Sequence, residues 1–278
     1  MAAPSPRETL ASILTIEPAG DDEFTAQLED FWGETMTCDA LARATQAAAT
    51  TCPGRELHAL SAFFVEPAPP AVPVRVRVER IADGAELSHR RVEVLYEARV
   101  LCAVTASFGV SGEGLSYQGA AVVDGVPRPE TMPTTLETAT REGWAEYARG
   151  PIEFRRVGRP WPFPACEPTE TSTHREWIRP RQAIAEEPTL QMAALVFASD
   201  FYSHWTANDR TGMEFEPPRF RPRGHALWVH RPTSWSGWWL LEATSEVGHA
   251  GRLLTHRRFF TEDGALIATA MQEGHYAV

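Results

Sequence analysis

Val72-Pro73-Val74-Arg75-Val76-Arg77-Val78-Glu79 alternates strictly: Val74, Val76 and Val78 fall on one side of an extended chain, and Arg75, Arg77 and Glu79 on the other. A period of two in branched apolar residues predicts a half-buried strand, with one face on a core and the other in water. Asp83-Gly84 supplies turn chemistry, and Arg91-Val92-Glu93-Val94 then resumes the alternation, so the two runs predict an antiparallel hairpin. Residues 100–108 form a further apolar run and a third strand beside it. Upstream, residues 37–50 carry Ala40, Ala42, Ala44, Ala47, Ala48 and Ala49 and predict a helix whose small side chains let a sheet approach closely. One helix followed by long antiparallel strands predicts an α+β layer, a curved antiparallel β-sheet wrapped around a central α-helix.

The same order recurs further along. Residues 111–150 break the pattern with Gly112, Gly114, Gly119, Gly125, Pro127, Pro129 and Pro133 and read as a connection. Beyond it, residues 171–179 predict a strand and 188–201 a helix; 226–229, 239–244, 253–260 and 265–272 predict four more strands. The helix is marked by Pro188 at its first position, by Glu186 and Glu187 beside its positive end, and by Leu190, Ala194, Phe197 and Phe201 at helical spacing. Asp263-Gly264 marks a second hairpin. Residues 101–107 superpose on 266–272 without a gap, matching Leu101 with Leu266 and Ala103 with Ala268. Short as it is, the match agrees with the repeated order of elements and predicts an internal duplication. The expected division is a first unit over 1–110, a linker over 111–150 and a second unit over 151–278.

With 278 residues, 43% of them hydrophobic and 23% charged, the chain has the balance of a globular enzyme with a sizeable core. A net charge of -11 and a pI near 5.3 argue against nucleic acid or an anionic membrane as partner, so an anionic ligand needs a local basic patch. Cys38, Cys52, Cys102 and Cys166 lack metal-ligand spacing and read as reduced thiols. Residues 1–12 have no basic segment leading into an apolar stretch, and nothing approaches the roughly 20 apolar residues that span a bilayer. A cytoplasmic location without membrane insertion is the expectation.

Leu57-His58-Ala59-Leu60-Ser61-Ala62-Phe63-Phe64-Val65-Glu66-Pro67, Asp83-Gly84 with Arg90-Arg91-Val92, and Thr105-Ala106-Ser107-Phe108 resemble the first half of acyl-CoA thioesterase II. His230-Arg231-Pro232, Trp239-Leu240-Leu241, Gly251-Arg252, Asp263-Gly264 and Gln272-Glu273-Gly274 resemble that family's closing strands, in the same order. The resemblance covers roughly residues 10–110 and 165–275. It implies a double hotdog of two tandem units, acyl-CoA as substrate, hydrolysis to a free acid and CoA without a cofactor, and a homo-oligomer. The family's catalytic group is an Asp, a Ser or Thr, and a Gln that hold the attacking water. By this resemblance Asp200 is the aspartate and Gln272 the glutamine. The hydroxyl position falls on Pro222, which has none; Thr211 and Ser245 are the substitutes to consider. His58, Arg252, Arg257 and Arg258 are the expected substrate-binding residues.

The residues add their own physics. Asp200 lies three positions after Phe197, close to the apolar stripe of its helix, and near a C-terminus where the macrodipole disfavours negative charge. Desolvation there raises a carboxyl pKa toward that of a general base. The plain alternative is a carboxylate bonded to the following loop. Gln272 shares a strand face with Leu266, Ala268 and Ala270, an amide where the pattern calls for an apolar side chain; its plain alternative is an amide bonded to backbone. For the CoA phosphates, His256, Arg257 and Arg258 form one candidate cluster and Arg219, Arg221 and Arg223 another, although either also reads as a solvated strand face. Trp235, Trp238 and Trp239 read as core packing. A noncatalytic acyl-CoA binding or sensing protein is the alternative function, and a hotdog hydratase or dehydratase is a further one. A serine hydrolase is disfavoured, because Gly109-Val110-Ser111-Gly112-Glu113 lacks the last glycine of a nucleophile elbow.

Overall fold

A computed structural model describes residues 9–31, 35–119, 123–143, 145, 148–158, 173–203, 205–212, 220–232 and 234–276. Cys166, Arg219 and positions 171–172 of the expected strand lie outside them. The first part of the chain holds α1 (Leu10–Ile13), β1 (Glu17–Gly20), β2 (Glu23–Gln27), α2 (Thr37–Thr50), β3 (Glu56–Phe64), β4 (Pro73–Asp83), β5 (Leu87–Tyr96) and β6 (Arg99–Gly109). After α3 (Thr135–Glu142) come β7 (Ile152–Arg156), β8 (Thr173–Pro180), α4 (Pro188–Asp200), α5 (Trp205–Thr211), β9 (Phe220–Val229), β10 (Trp239–His249), β11 (Arg252–Thr261) and β12 (Leu266–Tyr276). In β4, Val74, Val76 and Val78 are buried while Arg75, Arg77 and Glu79 are exposed, as the alternation predicts.

The twelve strands among the described residues form one antiparallel sheet in the order β1-β2-β4-β5-β6-β3-β9-β12-β11-β10-β8-β7. Each half contributes six neighbouring strands, and β3 and β9 join the halves at the centre through the pairs Ala59 with Trp228, Ser61 with Ala226 and Phe63 with Gly224. Two copies of a helix-then-strands unit therefore meet edge to edge, so that neither leaves an unpaired edge at the junction. The helices α2 and α4 pack against each other on the inner face of this sheet. Both are buried around most of their circumference, which explains why α2 is built from alanine on nearly every side rather than from one apolar stripe. The buried charges of α2 are paired: Arg43 Nε donates to Asp39 Oδ1 at 2.6 Å, and its Nη2 donates to the Gln27 carbonyl at 2.6 Å, tying β2 to the helix.

At the start of α4, Glu187 accepts hydrogen bonds from the backbone N–H groups of Thr189 (3.0 Å) and Leu190 (2.6 Å), with Pro188 in the first turn, so the acidic entry expected from the sequence is a working cap. Two arginines serve the other ends. Arg90 of β5 donates to the Thr51 hydroxyl (2.6 Å) and carbonyl (3.1 Å) just past α2, and Arg257 of β11 serves α4 in the same manner.

One reading gains detail and another needs correction. Within residues 111–150, Thr134 and Glu137 form a reciprocal capping box that starts α3, and Gly143 closes it in the left-handed region at φ 86°. The gap-free match of 101–107 on 266–272 is one residue out of register. Cys102, Val104, Ala106 and Phe108 are the alternate buried positions of β6, and Ala268, Ala270, Gln272 and Gly274 are those of β12. Gln272 is therefore the counterpart of Ala106, since a slip of one would turn it to the other face.

Gly274 lies over the ring of Phe220, and a Cβ there would run into that ring. Gly274→Ala is expected to cost about 1–3 kcal/mol through overpacking, read as a lowered midpoint in a thermal melt.

Candidate active site

Asp200 is the last residue of α4 and is 4% exposed. Its Oδ1 accepts a hydrogen bond from Gln272 Nε2 of β12, and its Oδ2 accepts one from the Thr37 hydroxyl at 2.6 Å. Asp200 and Gln272, paired from the resemblance, are thus in direct contact. Burial pushes the Asp200 carboxyl up to about 6; the Thr37 hydrogen bond and the nearby Arg257 guanidinium oppose that rise without cancelling it.

His225 of β9 completes the wall, with Nδ1 at 4.0 Å from Asp200 Oδ1. Its other nitrogen lies 2.9 Å from the Ser199 hydroxyl, whose own proton goes to the Val196 carbonyl at 2.7 Å. Nε2 therefore carries the imidazole proton, and Nδ1 presents a bare lone pair. Burial, reinforced by Arg257, holds the His225 pKa down to about 3, so the ring is neutral. Neither His225 Nδ1 nor Gln272 Oε1 has a hydrogen-bond partner among the described residues. With Asp200 Oδ1 they form a group of buried acceptors, which is the complement of a small donor such as a water molecule.

Arg257 holds this arrangement from behind. It is 3% exposed, and Nη1 lies 3.1 Å, 2.9 Å and 3.0 Å from the carbonyls of Ala198, Ser199 and Phe201, groups that the end of α4 leaves without helical partners. Its Nη1 is spent on these carbonyls inside the fold, and the side chain is buried rather than turned outward to a CoA phosphate. In the alternation of β11, Thr255, Arg257 and Phe259 face inward, so Arg257 and its neighbour Arg258 point opposite ways.

The other expected binding residues do not converge on Asp200. Arg258 pairs with Glu242, which Arg175 also engages at 2.9 Å. Arg252 pairs with Glu273 at 3.5 Å across the β11–β12 ladder, and His58 is exposed on β3 with Nδ1 at 3.4 Å from the Ser107 hydroxyl. Arg221 and Arg223 are exposed on β9. Of the hydroxyl candidates, Thr211 bonds to the Ala207 carbonyl within α5 and Ser245 to the Leu254 carbonyl across β10 and β11. Pro222 does lie on this side of the sheet, opposite Gly274, where a register shift in the β9–β12 ladder relieves the proline of a ladder hydrogen bond. Thr37, from the other half of the chain, is the contact the sequence reading missed. Trp235, Trp238 and Trp239 are buried: Trp235 stacks on Trp239 with centroids 4.5 Å apart, and Trp238 lies under Arg155 and Arg179. Among the described residues no cluster suits a metal ion and no helix is long and apolar enough to cross a membrane.

Residues 40–109 match the model of the acyl-CoA thioesterase N-terminal domain, and residues 124–276 match that of the C-terminal domain. The chain belongs to the acyl-CoA thioesterase family. It is 28% identical to acyl-CoA thioesterase 2 of Haemophilus influenzae, an alignment that covers 95% of this chain and 96% of that protein. The crystal structure of an acyl-CoA thioesterase II from Mycobacterium marinum superposes with a TM-score of 0.79 at 25% identity, covering 97% of this chain and 98% of that one. A hot dog fold protein from Alicyclobacillus acidocaldarius, 17% identical, superposes with a TM-score of 0.80 over 97% of this chain and 98% of its own and shows the fold alone. The double hotdog is thus the architecture of this acyl-CoA thioesterase, an enzyme of thioester hydrolysis.

Proposed function

We propose that this thioesterase hydrolyses acyl-CoA at the Asp200 site, with Asp200 as general base taking one proton of the attacking water, Gln272 Oε1 accepting from its other, and His225 lining the same spot. The supporting observation is a buried carboxylate with its pKa raised to about 6, next to two acceptors that lack a protein donor. A base poised near neutrality is both ionised at pH 7 and basic enough to take a proton from water.

In the first step the water oxygen bonds to the thioester carbonyl carbon while one of its protons passes to Asp200. The carbonyl oxygen becomes an oxyanion, and the first turn of α2, which reaches the site through Thr37, points the positive end of a helix toward it. Collapse then breaks the carbon–sulfur bond. The CoA thiolate leaves with the electron pair and takes the proton back from Asp200, so the enzyme returns to its starting state. The amide of Gln272 has two tasks in this reading: Nε2 fixes Asp200 Oδ1, and Oε1 accepts from the water.

We assign the CoA phosphates to an exposed cation group, with Arg221 and Arg223 on β9 as the first choice and Arg252, Arg258 and His58 as the alternatives. The same reading divides the chain into units over 1–110 and 151–278 joined by 111–150. It makes the protein a cytoplasmic homo-oligomer acting in lipid metabolism. The test is release of free CoA thiol from a series of acyl-CoAs. Turnover supports the reading, whereas tight acyl-CoA binding without thiol release would make the protein a sensor.

A further inference from the structure

Two halves of the chain meet at Asp200, and each supplies part of what holds it. The strand that the resemblance makes the source of a hydroxyl carries Pro222, opposite Gly274. Thr37, the first residue of α2, instead places its hydroxyl 2.6 Å from Asp200 Oδ2, across 163 positions of sequence. We propose that Thr37 is the hydroxyl of this active site, a positioning residue contributed by the first unit that orients Asp200 and keeps it ionised. The inference rests on Asp200 being the base.

The carboxylate has two oxygens with different duties. Oδ1 lies on the side of Gln272 and His225, where water is to be activated. Oδ2 has Thr37. A donor on Oδ2 does two things: it fixes rotation about the Cβ–Cγ bond, so that Oδ1 stays turned to the water, and it favours the charged form against the cost of burial. Charge-assisted hydrogen bonds are the stronger kind, and their loss matters most for a buried carboxylate. Thr37 is also only half-buried where Asp200 is fully buried, so the bond runs from the interior toward a less buried position. The catalytic apparatus is then a property of the joined units, with its base on α4 and its orienting hydroxyl on α2.

The test compares Thr37→Val, which keeps the shape and removes the donor, with Thr37→Ser, which keeps the donor. In thiol-release assays across pH, Thr37→Val should move the acid limb of kcat/KM upward by about one pH unit or more. It should also lower kcat at pH 7 by roughly tenfold while leaving KM within a few-fold; Thr37→Ser should restore both limb and rate. A Thr37→Val enzyme with the wild-type limb and rate overturns the proposal, as does a rate loss with an unmoved limb that Thr37→Ser fails to rescue, because that marks a packing role. If Thr37→Val does not fold, Thr37→Cys decides: its weaker S–H donor should place the limb above the wild-type one, and an unmoved limb overturns the proposal. Asp200→Asn separates the two readings. A dead Asp200→Asn beside a wild-type-like Thr37→Val sinks only the role of Thr37, whereas an active Asp200→Asn sinks the assignment of the base as well.

Discussion

Asp200→Asn should lower kcat for acyl-CoA hydrolysis by about 10²- to 10⁴-fold and leave acyl-CoA binding within a few-fold of wild type. An asparagine matches the carboxylate in size and can still engage Gln272 and Thr37, so the pocket survives, but it has no basic lone pair to take a proton from water. The same substitution is expected to stabilise the fold at neutral pH. Asp200 has its pKa raised from 3.8 to about 6, so the native state holds its proton more tightly than the unfolded chain does. The stability this group contributes is fully present below about pH 3.8 and is lost as pH rises through about 6. At pH 7 the ionised, buried carboxylate costs the enzyme up to about 3 kcal/mol, which the asparagine recovers. Melting curves of the two proteins should therefore separate above pH 6 and converge toward pH 4.

Arg257→Leu should be the most damaging substitution for stability, at about 3–5 kcal/mol, which lowers the melting midpoint by roughly 6–20 °C. The leucine fills much of the volume but leaves the carbonyls of Ala198, Ser199 and Phe201 without a donor at the buried end of α4. It also removes the cation that opposes the rise of the Asp200 pKa, so the remaining activity should need a higher pH. Arg90→Leu is the control. It removes the corresponding arginine at the end of α2, bonded to Thr51, and should destabilise without moving the pH profile.

The strands β4 and β5 are legible because they alternate valine on the buried face with charge on the wet one. In β3 the burial alternates too, but Phe63 at 68% exposure puts an apolar residue on the outward face, and the period vanishes from the sequence. The helix α3 had a readable signal in its Thr134-x-x-Glu137 box, which the surrounding glycines and prolines obscured. At the site, the family resemblance singles out Asp200 and Gln272; each also breaks an apolar pattern, a signal that by itself reads equally well as a carboxylate bonded to a loop and an amide bonded to backbone. Arg257 was hidden by its neighbours: His256-Arg257-Arg258 looks like a basic cluster until strand parity turns the middle member inward. Thr37 carried no local signal, since a hydroxyl in a first helical turn is ordinary. Its role follows from the pairing of β3 with β9 and the packing of α2 on α4, contacts that join residues far apart in the chain.

The pH dependence of kcat/KM for a good acyl-CoA substrate tests the central claim most directly. With Asp200 as a buried base, kcat/KM should be level near neutrality and fall about tenfold per pH unit below a limb near 6. A profile that stays level down to about pH 4.5 would contradict it, because an ordinary solvated carboxylate, or no carboxylate, would then be the group that activates the water.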